Sequence, residues 1–252
     1  EYNKHHLTRL KGKAATPIFC AYHGIDIQLF APGIPRWRPT PPYRLLTVAR
    51  LTAKKGIPIV IEAFKILVDR GVDLTYTLIG DGEDRPAILD RIHATGMSER
   101  IQWLGTQPHH VVLDHYRRSD LFLIGCEIAK NGDRDGIPNV LVESLAMGVP
   151  VVATRVSAIP ELVQDGATGL LVPPKDARAL ADAAQRLLVE TDLRRTVIEG
   201  GIARVRAEFD NRKTIQPLAR LFLHPAAPGA DREPGTDRPA AANRPALFRF
   251  RS

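Results

Sequence analysis

From Leu45 onwards the chain alternates short, mainly apolar, strand-like runs with longer segments whose apolar positions recur every three or four residues. The short runs lie at 45–49, 74–79, 101–104, 120–124, 149–153 and 169–172 and are rich in Leu, Ile and Val. They predict strands buried on both faces. The longer segments predict helices over 57–70, 84–95, 108–118, 137–147, 159–164, 176–189, 192–208 and 213–223. In the first of these, Val60, Ala63, Phe64, Leu67 and Val68 share one face. Such alternation predicts an α/β fold with a parallel sheet covered on both sides, whose ligands sit at the carboxyl ends of the strands.

Outside that regular region the pattern changes. Residues 1–17 are polar and basic, and 18–22 read as a short buried strand ending at His23-Gly24. Residues 31–42 hold five prolines in twelve positions, too many for a helix or strand interior, and predict a linker. Residues 225–252, rich in Pro, Ala and Arg, predict a disordered tail with too little apolar surface to offset its ordering entropy. The expected organisation is therefore 1–42 as leading segment, first strand and linker, 43–224 as the folded domain, and 225–252 as tail.

Composition narrows the function classes. With 252 residues, 44% of them hydrophobic, the chain can bury one large core. It contains no apolar run of 18 residues, and its first residues lack the apolar centre of a signal peptide. The absence of an initiator Met is read as a processed or truncated start. Cys20 and Cys126 form neither a CxxC pair nor a disulfide framework, which suits a reduced, cytoplasmic compartment. A net charge of +7 and a pI near 9.6 fit nucleic acid, an anionic membrane or phosphorylated ligands. With only 6% aromatic residues and no stripe of rings among the cations, nucleic acid is disfavoured.

Two segments carry candidate chemistry. Arg50 ends the first regular strand, and Lys55-Gly56 opens the next helix, where backbone amides and the helix dipole favour an anion. Arg offers a bidentate fork and Lys a compact charge, a combination suited to a diphosphate; two solvated surface cations are the plain alternative. Asp135 and Glu143, eight positions apart, flank a helix start marked by Pro138. Asp135 could be only a cap. Glu143 has apolar neighbours on both sides, Val140-Leu141-Val142 and Leu145-Ala146-Met147, so its carboxylate needs a partner such as a sugar diol.

Other motifs are weaker. Gly80-Asp81-Gly82 begins like a dinucleotide fingerprint, but Arg85 stands where the third glycine belongs and Pro86 follows it. The loop at Gly105-Thr106 could hold a base through backbone contacts or be a plain turn. His109, His110 and His115 lack the Cys or carboxylate partners of a convincing metal set. His23 reads as a turn histidine. Neither GxSxG nor GxxxxGK[ST] is present, so serine-hydrolase and P-loop chemistry lose their main support.

In order, His23-Gly24-Ile25-Asp26, Val48-Ala49-Arg50-Leu51 with Lys55-Gly56, Leu78-Ile79-Gly80-Asp81-Gly82, Trp103-Leu104-Gly105, Asp135 to Met147 with Gly148-Val149-Pro150, and Pro160-Glu161 with Asp165-Gly166 resemble one known group. It is the retaining glycosyltransferases of family 4, specifically their C-terminal, donor-binding domain, and the likeness runs from about Glu1 to Phe222. The resemblance implies a Rossmann-like doubly wound parallel sheet forming the C-terminal half of a GT-B enzyme. It implies that Arg50 and Lys55 bind and stabilise the donor diphosphate in place of a metal, and that Asp135 lies near the transferred sugar. Glu143 then faces the ribose, backbone groups of Gly136, Ile137, Pro138 and Asn139 hold sugar and phosphate, and Gly80, Gly105 and Thr106 complete the donor-binding set. No cofactor is implied beyond a UDP- or GDP-linked sugar as co-substrate.

Three departures from the family pattern stand out: Asp135 for the commoner Glu, Pro138 for a glycine, and Ser144 for an alanine. The first shortens the acidic reach by one methylene, and the second removes a backbone amide, which leaves the donor sugar open. The implied partners are a glycan or lipid-linked acceptor and an N-terminal acceptor domain, of which residues 1–17 resemble the last piece. Residues 213–223 resemble the terminal helix that packs back towards that domain. Without it, activity is expected to be weak or lost; a non-catalytic nucleotide-sugar module is the alternative, and nucleotide-sugar epimerisation a third option. The basic surface further suggests peripheral contact with the inner face of a membrane.

Overall fold

The computed structural model describes residues 1–12, 18–31, 33 and 35–223. Six strands, β1 (Tyr43–Val48), β2 (Leu74–Ile79), β3 (Ile101–Trp103), β4 (Leu121–Ile124), β5 (Val151–Thr154) and β6 (Leu170–Val172), form one all-parallel sheet in the order β3-β2-β1-β4-β5-β6. Each coincides with an apolar run to within two residues, and β4 and β5 are buried at every position. Alternation along the strands divides the interior into two layers. Leu45, Leu121, Leu123, Val152 and Leu170 face one helical layer, while Leu46, Phe122, Val151, Ala153 and Leu171 face the other.

The first layer contains α2 (Ile57–Asp69), α3 (Arg85–Ala94) and α7 (Ala177–Val189); the second contains α4 (His109–Arg118), α5 (Asn139–Ala146) and α6 (Ile159–Leu162), and α8 (Thr191–Glu208) packs on α5 and α7. In α2 the 3.6-residue periodicity buries Ile57, Val60, Ile61, Ala63, Phe64 and Leu67 completely. Truncating Phe64 there would cost about 3–5 kcal/mol, because its cavity cannot fully close. Two further helices, α1 (Tyr2–Lys11) and α9 (Asn211–Leu223), lie at the chain's ends.

Sequence expectation and structure differ in three places. Residues 18–24 form no strand: Phe19 is 66% exposed, and sheet-like pairing begins only with the bridge from Ile25 to Asp210 among the described residues. An apolar run makes a strand only where a neighbour pairs with it, and among the described residues no strand pairs with this one. Second, α5 starts at Asn139 with Pro138 as its cap, slightly later than expected. Third, Asp135, for which a helix cap is one of the expected readings, lies three residues before the cap of α5 and forms ion pairs. The described residues of the expected linker carry no helix or strand, and the tail predicted over 225–252 lies outside the described residues.

Candidate functional site

The strand order reverses direction between β1 and β4, so the loops leaving their carboxyl ends diverge and open a crevice. Glycines let those loops meet at its floor. Gly56 adopts φ +59°, and a Cβ on it would collide with the Gly125 carbonyl oxygen. The two loops are also joined by a hydrogen bond from the Glu127 amide to the Lys54 carbonyl, 2.9 Å. Sequence fixes this geometry because only glycine combines the left-handed φ with such close backbone approach.

Above that floor stand the predicted charges. Lys55, on the short 3-10 helix Ala53–Lys55, places Nζ 2.8 Å from Asp135 Oδ2. Lys54 bridges Asp133 at 3.1 Å and Asp135 at 3.6 Å. The Lys54 ammonium is held above its ordinary pKa, chiefly by its hydrogen bond to Asp133. Arg50 is exposed at the end of β1 and forms no ion pair among the described residues. Two lysines are thus paired with two carboxylates, while Arg50 at the carboxyl end of β1 keeps a positive charge, unpaired among the described residues, that suits an incoming anion.

The Asp135 loop is tied on its other sides. Glu127 pairs with Lys175 at 3.4 Å, and Arg134 donates to the Tyr2 hydroxyl at 2.9 Å. Cys126 Sγ lies 3.9 Å from Asp135 Oδ2, and burial pushes its thiol pKa up to about 12, so it remains a neutral thiol. Glu143, in the middle of α5, accepts a hydrogen bond from the buried Tyr116 hydroxyl at 3.1 Å. Burial raises the Glu143 pKa, against the opposing effects of that hydrogen bond and of His109.

The remaining candidates separate into two groups. Gly80 and Gly105 support the loops internally: the Gly80 amide donates to the Gly105 carbonyl, and Trp103 Nε1 donates to the Gly80 carbonyl, both at 2.8 Å. Thr106 is exposed in the following turn. Gly136, Ile137 and Asn139 line a cavity of about 280 Å³ together with Tyr22, His23 and Glu161. Pro138 begins the turn into α5. The structure therefore joins Lys55 to Asp135 and gathers Gly136, Ile137 and Asn139 at one cavity, while Glu143 bonds to Tyr116 and Arg50 stands open.

Residues 36–204 match the family described as glycosyl transferases group 1. The chain belongs to that family. It is 36% identical over 202 residues to the putative colanic acid biosynthesis glycosyltransferase WcaL of Escherichia coli K12, a match covering 79% of this chain and 49% of that protein. The sucrose-phosphate synthase of Thermosynechococcus elongatus superposes with a TM-score of 0.76 at 25% identity, covering 88% of this chain and 56% of that one. HepE of Anabaena, solved in complex with UDP and glucose, shares the fold with a TM-score of 0.68 at 22% identity, over 81% of this chain and 56% of that one. These are Rossmann-like neighbours of GT-B type. The chain spans about half the length of the curated relatives it matches.

Among the residues of this candidate site, sequence reasoning missed Lys54, Asp133 and Tyr116. Lys54 adjoins Lys55, and Asp133 lies two residues before Asp135, so the doubled Lys-Lys and Asp-Arg-Asp pattern could have signalled paired loops. Tyr116 falls on the apolar face of α4, where periodicity marks it as core and hides the direction of its hydroxyl.

Proposed function

We propose that this chain is the donor-binding half of a retaining glycosyltransferase that moves a sugar from a UDP- or GDP-linked donor to a glycan or lipid-linked acceptor. The observation that carries this is the Lys55–Asp135 pair at the β1/β4 crevice beside an open Arg50. As the bond from sugar to diphosphate breaks, its electrons go to the departing diphosphate, and Arg50 and Lys55 stabilise that charge without a metal. Lys55 exchanges its carboxylate partner for phosphate, which frees Asp135 to accept from a sugar hydroxyl.

Glu143 accepts from the ribose, and the Gly136 to Asn139 turn holds sugar and phosphate with Pro138 supplying shape but no amide. Gly80, Gly105 and Thr106 shape the base end. The names of WcaL and of the HepE complex with UDP and glucose support a nucleotide-sugar donor and a polysaccharide product. The acceptor belongs to the other half of such proteins, and transfer by this chain without that half is expected to be weak. In this reading the reaction takes place in the cytoplasm, with contact to the inner membrane face where the acceptor is lipid-linked. Among the described residues no helix is long and apolar enough to cross a membrane.

The test is calorimetry with UDP, GDP and their sugars, followed by transfer assays on the chain joined to an acceptor half. Binding by one nucleotide series and transfer with retained anomeric configuration are expected. An inverted product removes the retaining assignment, and failure of every nucleotide to bind removes the donor site.

A further inference from the structure

Glu143 is held from outside its own helix. Tyr116, in the last turn of α4, is fully buried, and its ring packs against Phe122 of β4 with centroids 5.9 Å apart. Its hydroxyl oxygen lies 3.1 Å from Glu143 Oε2 and 3.2 Å from the Val140 carbonyl oxygen, both on α5. One phenolic proton cannot serve both acceptors, and an ionised carboxylate is the stronger. The bond therefore uses one oxygen of Glu143 and leaves the other free. A carboxylate on a flexible stem would otherwise lose rotamer freedom on meeting a ligand; a rigid partner removes that loss beforehand.

We propose that Tyr116 is a positioning residue, orienting the Glu143 carboxylate so that its free oxygen receives the ribose hydroxyls of the donor. The proposal rests on the donor-site assignment of Glu143. His109, at the other end of α4, also acts on Glu143 and packs edge-on against Phe30 with centroids 5.3 Å apart. A purely structural tyrosine would alter stability alone, whereas a positioning tyrosine alters how ribose hydroxyls are recognised.

The experiment measures binding of UDP and GDP, each beside its 2′,3′-dideoxy counterpart, to the wild type, Tyr116→Phe, Glu143→Ala and Glu143→Gln. The wild type should prefer the hydroxylated nucleotide by about tenfold or more, the scale of a hydrogen bond to a charged group. Glu143→Ala should erase that preference. Tyr116→Phe should reduce it to about threefold with affinity for the dideoxy form unchanged, and Glu143→Gln, which keeps the tyrosine contact, should retain part of it.

Full discrimination in Tyr116→Phe, with loss in Glu143→Ala, overturns the positioning role and leaves the ribose assignment standing. Full discrimination in Glu143→Ala overturns the ribose assignment itself, and absence of binding by both nucleotides overturns the donor site. Should Tyr116→Phe fail to fold, Glu143→Gln still decides: a variant as indifferent to the hydroxyls as Glu143→Ala counts against orientation by Tyr116.

Discussion

Ion clusters occupy both ends of β1 and β4, and they differ in what they leave unsatisfied. At the amino ends, Asp120 is fully buried, accepts from the Arg44 amide at 2.9 Å and binds the Arg36 side chain. Arg194, 1% exposed, donates to the carbonyls of Arg36, Leu187 and Asp120 at 2.6, 3.1 and 2.8 Å. Burial lowers its pKa to about 10, partly offset by Asp120, so it stays charged at neutral pH. At the carboxyl ends the same residue types remain partly open: Lys55 and Asp135 are 13% and 17% exposed, and Arg50 is exposed. A closed cluster ties the linker, sheet and α8 together; an open one can exchange partners with a ligand.

The largest effect should come from breaking the closed end. Arg194→Met strips three carbonyls of a donor and removes a positive charge that acts on the buried Asp120 carboxylate, and should cost about 3–5 kcal/mol, read by denaturant unfolding. Nucleotide affinity of the protein that stays folded should be unchanged. Equal loss of affinity and stability would mean that the two clusters act as one unit.

At the open end the pattern should reverse. Arg50→Ala and Lys55→Ala should each reduce transfer about 100-fold or more in an enzyme carrying both halves, because each removes a charge that the leaving diphosphate needs. Stability should move by no more than about 1 kcal/mol, since these groups are partly solvated. Unchanged transfer in both variants would dissolve the distinction between the two ends.

Glu143 sharpens the comparison through pH. Because burial raises its folded-state pKa, the folded protein holds this proton more tightly than the unfolded chain. The stability it contributes is present below the unfolded pKa and is lost as pH rises through the raised folded value. Ribose binding has the opposite sign, because the hydroxyls favour the ionised acceptor: nucleotide affinity should weaken as pH falls through that raised value. Calorimetry across the acid range checks this, and an affinity insensitive to pH would place the ribose elsewhere.

Much of this was legible from the chain. The apolar runs at 120–124 and 149–153 match the strands Leu121–Ile124 and Val151–Thr154, buried at every position, and Arg50, Lys55 and Asp135 do stand at the carboxyl edge. What escaped depends on long-range placement. Residues 18–22 have strand-like composition without a pairing neighbour, and the direction of the Tyr116 hydroxyl depends on how α4 crosses α5. The ion partner of Asp135 lies 80 positions away, where local pattern favours the nearest explanation, a helix cap.

The smallest predicted effect concerns Lys54, which joins the two loops without belonging to the proposed catalytic set. Its carbonyl accepts from Glu127, and its ammonium is shared between Asp133 and Asp135. Lys54→Met keeps the backbone bond and removes only the shared charge, so stability should fall by no more than about 1 kcal/mol. Asp135 would then keep Lys55 as its one ion partner among the described residues and hold it more firmly, making the exchange of Lys55 from carboxylate to phosphate less favourable. Transfer should drop about three- to fivefold, mainly through weaker donor binding, a loss of roughly 1 kcal/mol. A second change, Asp133→Asn, should not deepen that loss, because Asp133 acts on the site through Lys54. Additive losses would give Asp133 a separate role, and a rate loss as large as that of Lys55→Ala would make Lys54 a direct phosphate ligand.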